Sequence, residues 1–192
     1  MKNISSTEEF SADCNKYSID SARNDLAEFL REKNFVFIDR TIQASIPLKN
    51  DFKKFCRLPI EKSELNERIF EIAKKSFVND ARFFDSVPPV MNVDLLEKFL
   101  SEMKFCYVCR VKNEIAGFIE IVDCEIRLAA VDEKFRLGGT VLNLYAGAAD
   151  IFREQGYRKL IGRISTKNTP VINLYSTLGA TFTRPQDIYI RR

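Results

Sequence analysis

The segment STKNTPVINLYSTLGATF, residues 165–182, decides the fold class of this 192-residue chain. Its apolar residues are spaced as on one face of a short helix, with a polar loop before it and Gly179 after it. Asn168 precedes the helix and Tyr175 lies within it. A tyrosine on so short a helix near the C-terminus raises the question of what it is held against.

The composition is that of an ordinary globular protein. Of the residues, 45% are hydrophobic and 30% are charged, which fits one domain with its own core. The net charge of +3 is too small to favour nucleic acid binding. The chain has no apolar run of about 18 residues, and its polar, acidic N-terminus is unlike a secretory signal peptide. We therefore expect a cytoplasmic protein whose partners include no nucleic acid and no membrane.

The chain contains five cysteines and no histidine. Cys106 and Cys109 form a C-x-x-C pair, but FCYVCRV predicts a strand, on which residues three apart point to opposite faces. Neither a second such pair nor a histidine completes a metal site, so we predict no metal. The missing histidine also excludes a Ser-His-Asp triad. An acid or base must be a carboxylate, tyrosine, lysine, thiol, chain terminus or water.

The residue patterns predict a mixed α/β chain. Helices are expected over residues 20–32, 63–77 (capped by Ser63), 93–103, 141–155 and within the opening segment. Strands are expected over residues 35–46, 52–58, 124–131, 159–165 and 187–192, with a hairpin over 105–123 that turns at Lys112-Asn113. We place a boundary near residue 50, after an N-terminal piece that is loose over residues 1–18.

The segment VDEKFRLGGTVL, residues 131–142, joins a predicted strand to the start of an amphipathic helix. Backbone N–H groups at a helix start lack intrahelical partners, and the helix dipole adds partial positive charge. Gly138 and Gly139 would let a ligand approach the main chain, and Lys134 and Arg136 add charge. These features suit a pyrophosphate. A tight turn that merely uses two glycines is the alternative, since the loop has neither the Walker nor the dinucleotide-binding pattern.

The two motifs together resemble those of the GNAT superfamily of N-acetyltransferases. Residues 136–139, Arg-Leu-Gly-Gly, fit the start of its acyl-CoA pyrophosphate loop, and residues 168–182 are similar to its N-x-x-A-x-x-L-Y-x-x-x-G-F signature. Val141 and Val171 depart from the small residues of these patterns. The resemblance covers about residues 51–192. The end of the chain and the layout upstream are further similar to dTDP-fucosamine acetyltransferases, which act on nucleotide-linked amino sugars.

This resemblance implies a GNAT fold, in which a mixed central sheet with splayed parallel strands is flanked by helices. The strands 124–131 and 159–165 would be the splayed pair. Residues 51–192 would form the acetyltransferase domain, and residues 1–50 a short, partly disordered N-terminal α/β extension. Sheet edges at the C-terminal strand and the N-terminal piece would allow a homodimer.

The implied reaction transfers an acetyl group from acetyl-CoA to a primary amine, without a metal. Tyr175 would protonate the departing CoA thiolate, since free thiol and phenol pKa values are about 8.5 and about 10. A tyrosine packed in the core, with its hydroxyl bonded to the backbone, is the alternative. Glu120, Asp123 and Glu125 are candidates for the base, with Glu120 taken forward. The implied cofactor contacts come from a splayed strand, the loop and the last helix: Leu128, Ala129, Ala130, Val131, Arg136, Leu137, Gly138, Gly139, Thr140, Val141, Asn168 and Tyr175.

The acceptor is expected near the loop segment ARFFD, residues 81–85. Phe83 and Phe84 could stack on a nucleobase or sugar, and Asp85 could bind the acceptor's ammonium or hydroxyl groups. Anchoring of both rings in the core is the alternative. The acceptor predicted first is a nucleotide-linked amino sugar, with a peptide N-terminus, a polyamine or an amino acid as alternatives. A GNAT-fold protein that binds acyl-CoA without catalysis is a further alternative, which Val141 keeps open.

Overall fold

The structure is a computed structural model that describes residues 1–49, 52, 55–56 and 58–192. Its α-helices are α1 (Asn24–Glu32), α2 (Glu67–Ser76), α3 (Val93–Ser101), α4 (Thr140–Glu154) and α5 (Thr169–Thr177). Its strands are β1 (Lys2–Asn3), β2 (Lys16–Asp20), β3 (Phe35–Pro47), β4 (Ile60–Ser63), β5 (Cys106–Val111), β6 (Glu114–Val122), β7 (Glu125–Val131), β8 (Lys159–Ser165) and β9 (Thr181–Arg191).

The strands of the described residues form one nine-stranded sheet in the order β1-β2-β9-β3-β8-β7-β6-β5-β4. The pairs β1–β2 and β7–β8 are parallel, and the other neighbours are antiparallel. The mixed sheet flanked by helices is the fold class that the sequence predicts. Strand β3, from the predicted N-terminal extension, lies between β8 and β9, so this extension and the remainder of the chain share one sheet.

Helices cover both faces of the sheet. The apolar residues of α4 and α5 pack with β3, β5, β6, β7 and β8 on one face, while α2 and α3 pack on β5, β6 and β7 from the other. Cys109 lies in the first of these cores and Cys106 in the second, which confirms that the two thiols point to opposite faces. A third core joins α1 to β2, β3 and β9.

Several predicted elements have the expected bounds. The turn between β5 and β6 contains Lys112 and Asn113 with φ of 52° and 67°, the left-handed conformation of a two-residue hairpin. Helix α4 is followed by Gly156 with φ of 88°, and β8 spans the predicted residues. Among the described residues, no helix is long and apolar enough to cross a membrane.

Other elements differ from the prediction. Strand β1 lies within the segment expected to be loose, and strand β2 begins there and runs to Asp20, the predicted start of the first helix. The predicted strand 52–58 and the boundary near residue 50 fall partly on residues that the structure does not describe, and the strand that pairs with β5 is β4, further along the chain. Ser63 ends β4 instead of capping a helix, because the Asn66 side chain accepts the Ile69 N–H at 3.1 Å and starts α2 there.

The last strand is longer than predicted and is paired on both sides. Strand β9 begins at Thr181 and hydrogen-bonds to β2 along one edge and to β3 along the other. The expectation that it offers an open edge for a partner chain is therefore wrong. Pairing through β9 would require one of these two ladders to open.

Candidate active site

The parallel strands β7 and β8 separate to form a wedge, called here the cleft. Their register holds for Glu125 opposite Ile161 and for Ile126 opposite Gly162, and the remaining residues of both strands are unpaired with each other. A strand edge that loses its partner leaves backbone N–H and C=O groups free along it. The carbonyl oxygens of Arg127 and Val131 accept hydrogen bonds from Arg82 and Arg136. The other main-chain groups that line the cleft between residues 127–131 and 163–165 can bind an extended ligand.

A β-bulge lies at the closed end of the cleft. In the pairing of β6 with β7, Glu120 is opposite Leu128 and Ile121 is opposite Ile126, so Arg127 is the extra residue. This bulge follows directly after the last parallel pair of β7 with β8. It redirects the main chain at the point where the strands separate.

Tyr175 lies at the same point and is 1% exposed. A Cβ atom added to Gly162 would lie 2.3 Å from the Tyr175 hydroxyl oxygen, so the glycine in β8 leaves the room that this hydroxyl occupies. The Tyr145 hydroxyl of α4 is 3.4 Å away. Burial raises the pKa of Tyr175 to about 12, against smaller lowering effects from Tyr145 and Arg82. The short helix α5 thus holds the phenol against Gly162, the last residue of β8 that pairs with β7.

The start of α5 is fixed by local capping. The Asn168 side chain accepts the Val171 N–H at 3.3 Å, and Pro170 occupies the first turn, where its missing N–H costs nothing. Asn168 therefore fixes the start of α5, and its implied contact with the cofactor stays a prediction. Gly179, with φ of 76°, follows the helix and turns the chain into β9.

Glu120 is a buried acid on β6, 2% exposed. Its Oε1 lies 3.4 Å from Nη1 of Arg127, and its Oε2 has no hydrogen-bond partner among the described residues. Burial raises its pKa, which Arg127 and Arg82 partly oppose. Asp123 and Glu125 instead lie exposed at the turn between β6 and β7. Of the three candidate bases, Glu120 has the environment of a perturbed functional group.

The predicted phosphate loop forms a 3₁₀ turn, Glu133–Gly138, that runs into α4. Gly139 has φ of 75°, and a Cβ atom there would meet nothing within 4 Å. The first turn of α4 carries no acidic residue. The Asn143 N–H bonds to the Gly139 carbonyl, so the N–H groups of residues 140–142 precede the helical ladder. The main chain here leaves room for an anion, and the predicted contact of this loop with a pyrophosphate stays a prediction.

Asp132 anchors the loop, which also borders a cavity. Asp132 accepts the Lys134 N–H at 3.0 Å and is paired with Arg68 at 2.6 Å. Val141 is half-buried and packs against the core beneath α4. A cavity of about 350 Å³ lies between the loop and α2, and is lined by Ile72, Lys75, Ser76, Asp132, Glu133, Lys134 and Arg136.

The aromatic residues of the loop before α3 are anchored in the core. Phe83 is 1% exposed and packs its ring against Phe77 and Phe99, and Phe84 is also buried. Neither ring presents a face to solvent, so we assign both to the core rather than to an acceptor site. Asp85 is exposed and accepts a hydrogen bond from the Asn92 side chain. Its predicted contact with the acceptor stays a prediction.

A surface that the sequence analysis missed lies on the face of the sheet opposite α5. Ala44, Gly162 and Phe182 are register partners that face α5, so their neighbours in the strands face the other way. These neighbours in β3 and β9 are neutral and hydrogen-bonding. This surface, called here the polar floor, consists of Thr41, Gln43, Ser45, Thr181, Thr183 and Gln186.

No protein-family model and no curated protein matches the sequence. Solved structures do match. A GCN5-related N-acetyltransferase from Sphaerobacter thermophilus superposes with a TM-score of 0.60 at 13% identity, over 91% of this chain and 58% of that one. A GNAT-family acetyltransferase from Colwellia psychrerythraea gives 0.59 at 11% identity, over 92% and 64%. The chain has the GNAT fold.

The same fold occurs in a fungal protein. The GCN5-related glucosamine N-acetyltransferase region of a fungal multi-domain GH3 β-N-acetylglucosaminidase superposes with a TM-score of 0.58 at 9% identity, over 91% of this chain and 25% of that protein. The chain thus spans less than two thirds of each of these three relatives. At identities this low, the superpositions establish only that the GNAT fold, with its splayed strands, is shared.

Proposed function

We propose that the chain is an acetyl-CoA-dependent N-acetyltransferase that acetylates a primary amine. The observation that carries this proposal is the Tyr175 hydroxyl, buried beside Gly162 where β7 and β8 separate. A buried phenol at the closed end of a wedge lined by free main chain is suited to act on the atom that a narrow ligand brings to that end. The GNAT fold of the chain agrees with this reading.

The residues present fit acetyl-CoA, which would supply a thioester whose carbonyl carbon is open to attack by an amine. The open N–H groups at the start of α4 and the free space at Gly139 suit its pyrophosphate. The unpaired edge of β7, residues 128–131, suits the amide groups of its pantetheine arm. Lys134 and Arg136 place positive charge beside the loop.

Tyr175 would act on the sulfur. With its pKa raised to about 12, the phenol stays protonated throughout the physiological range and is always present as a donor. A free thiol has a pKa of about 8.5, so complete proton transfer to a thiolate in water would be uphill. Burial in the cleft raises the pKa of a thiol as well, because the charged form loses solvation. A hydrogen bond from Tyr175 would then stabilise the charge that develops on sulfur as the C–S bond breaks.

Glu120 would serve as the base. An amine that is an ammonium in water must lose a proton before its nitrogen can attack. Burial raises the pKa of Glu120 toward neutral pH, and a general base works best when its pKa lies near the working pH. Because the side chain is buried, we infer that the proton reaches Glu120 through water instead of by direct contact.

The polar floor favours an acceptor with several hydroxyl groups. Its threonine, serine and glutamine side chains can each donate and accept hydrogen bonds, and the charged side chain beside them, Arg163 of β8, is positive and donates to Thr41 Oγ1 at 3.3 Å. An amino sugar fits this surface better than a polyamine, which would need carboxylates. A fungal glucosamine N-acetyltransferase region has the same fold, at 9% identity. A nucleotide-linked amino sugar is the specific acceptor that we propose.

A thermal-shift titration with acetyl-CoA and with CoA tests the cofactor site. Gly139→Glu and Gly156→Glu form a matched pair, because both glycines have positive φ at opposite ends of α4 and a Cβ atom meets nothing within 4 Å at either. We expect saturable stabilisation of the wild type and of Gly156→Glu, and its loss in Gly139→Glu. Equal responses of the two variants would contradict the assignment of the loop.

Turnover is tested with amino sugars, free and nucleotide-linked, by release of the CoA thiol. Tyr175→Phe is the test variant. Tyr189→Phe is its control, since that tyrosine is equally buried, at 1% exposure, in β9. Binding of acetyl-CoA without turnover on any amine would favour a non-catalytic acyl-CoA-binding protein.

A further inference from the structure

Arg82 lies in the loop between α2 and α3 and is held rigidly by a neighbour. Its guanidinium makes a two-pronged ion pair with Asp80, with Nη2 to Oδ2 at 2.6 Å and Nε to Oδ1 at 3.0 Å. The Asp80 side chain also accepts the Arg82 backbone N–H at 2.9 Å, which starts the 3₁₀ turn Ala81–Phe83. Both the backbone and the side chain of Arg82 are therefore fixed by one carboxylate.

A lysine from the N-terminal part of the chain closes the same turn from the other side. Nζ of Lys16, on β2, donates to the carbonyl oxygens of Ala81 and Arg82, each at 3.0 Å. Lys16 is 8% exposed, which is rare for a lysine and is accounted for by these two hydrogen bonds. Strand β2 is thus connected directly to the backbone of Arg82.

From this position Arg82 reaches the closed end of the cleft. Its Nη1 donates to the carbonyl oxygen of Arg127 at 2.6 Å. Arg127 is the bulge residue, left out of the register between β6 and β7. Its own guanidinium lies over the Phe99 ring at 4.5 Å and reaches Glu120 Oε1. One arginine therefore fixes the bulge, and the bulge residue contacts the candidate base.

We propose that Arg82 is a positioning residue of the transfer site, which holds the Arg127 carbonyl where β7 and β8 separate and sets a positive charge beside Glu120 and Tyr175. This inference rests on the proposed acetyltransferase function. It assigns the loop before α3 a role in shaping the cleft, in place of the aromatic stacking expected from the sequence.

The charge of Arg82 has a measurable consequence. Glu120 faces Arg127 of β7, Arg82, Glu102 after α3 and Cys106 of β5. Because a positive charge favours the carboxylate, removing Arg82 raises the pKa of Glu120 further. A base must be deprotonated to act, so the acidic limb of the pH profile of kcat/KM moves to higher pH. Tyr175, with its pKa raised to about 12, remains protonated in either case and contributes no limb in the physiological range.

Two substitutions separate charge from geometry. Arg82→Met removes both, so we expect kcat to fall by about tenfold or more and the acidic limb to move up. Arg82→Lys keeps the charge but cannot pair with Asp80 and reach the Arg127 carbonyl together. It should lower kcat and leave the limb in place. Arg23→Met is the control, because Arg23 makes the same two-pronged pair with Asp25 at an exposed site. Acetyl-CoA stabilisation should persist in all three variants.

Wild-type kcat and an unchanged pH profile in Arg82→Met would overturn the inference, and so would a change in KM alone. The inference also has a readout that does not depend on turnover. Amide hydrogen exchange at residues 127 and 128 should speed up in Arg82→Met and stay unchanged in Arg23→Met.

If the wild type fails to acetylate any amine, the proposed function falls. Unchanged exchange at the bulge in Arg82→Met would then remove the positioning role as well.

Discussion

Gly162→Ala provides a sharp test of the geometry at the closed end of the cleft. The added Cβ atom would lie 2.3 Å from the Tyr175 hydroxyl oxygen and 3.1 Å from its Cζ. To restore contact distance the hydroxyl must move by about 1 Å. Displacement of a reacting group by this amount costs about 10²-fold in rate, or about 2.7 kcal/mol of transition-state stabilisation. Overpacking should also lower the free energy of unfolding by about 1–3 kcal/mol.

A double-mutant cycle shows whether the effect of Gly162→Ala passes through the hydroxyl. Because Tyr175→Phe removes the atom that the methyl group meets, Gly162→Ala should change kcat little in that background. Gly147→Ala is the control. It also crowds a buried glycine, with Ile60 Cγ1 2.9 Å from the new Cβ, but it meets a flexible side chain away from the cleft. The reasoning is refuted if Gly162→Ala lowers kcat equally with Tyr175 and with phenylalanine.

Three further substitutions or measurements follow from the buried titratable groups. Burial raises the pKa of Glu120 above 4.5, so the unfolded chain ionises first and wild-type stability falls as pH rises through that window. Glu120→Gln should remove this loss, which urea unfolding below and above the window measures; parallel pH curves would be the contrary result. Lys16→Met leaves two carbonyl groups unpaired, at about 1–3 kcal/mol each, and should lower the free energy of unfolding in urea; no loss would mean that its hydrogen bonds to the turn are absent. Burial raises the pKa of Cys106 to about 12, so mass spectrometry should find it unlabelled by thiol reagents until the chain unfolds, and labelling of the native protein would contradict its burial.

The elements that the sequence predicts well are those with a strong local pattern. The one-sided stripe of α4, the Lys112-Asn113 turn and the capped α5 each carry their signal within a few residues. Strands β2 and β4 carry no such signal. They are short, and their burial does not alternate in the way that a half-exposed strand requires. Pairing with distant strands stabilises them.

The candidate site divides in the same way. The loop glycines and Tyr175 can be found from spacing, and the glycine inside KLIGRIS is a signal for close approach that could have indicated Gly162. The register that puts Gln43 beside Thr183 cannot be read locally, although the alternation of polar residues along β3 hints at an open face. The contact between Arg82 and Arg127 joins residues far apart in sequence and has no local pattern at all.

The measurement that tests the account most directly is transfer itself. The wild type and Tyr175→Phe are incubated with acetyl-CoA and a panel of amino sugars, polyamines and amino acids, and the products are followed by mass spectrometry. We predict an acetylated amino sugar with the wild type and a much slower reaction with Tyr175→Phe. No acetylated amine with the wild type, or an equal rate with both proteins, would contradict the central role given to the buried phenol in the cleft.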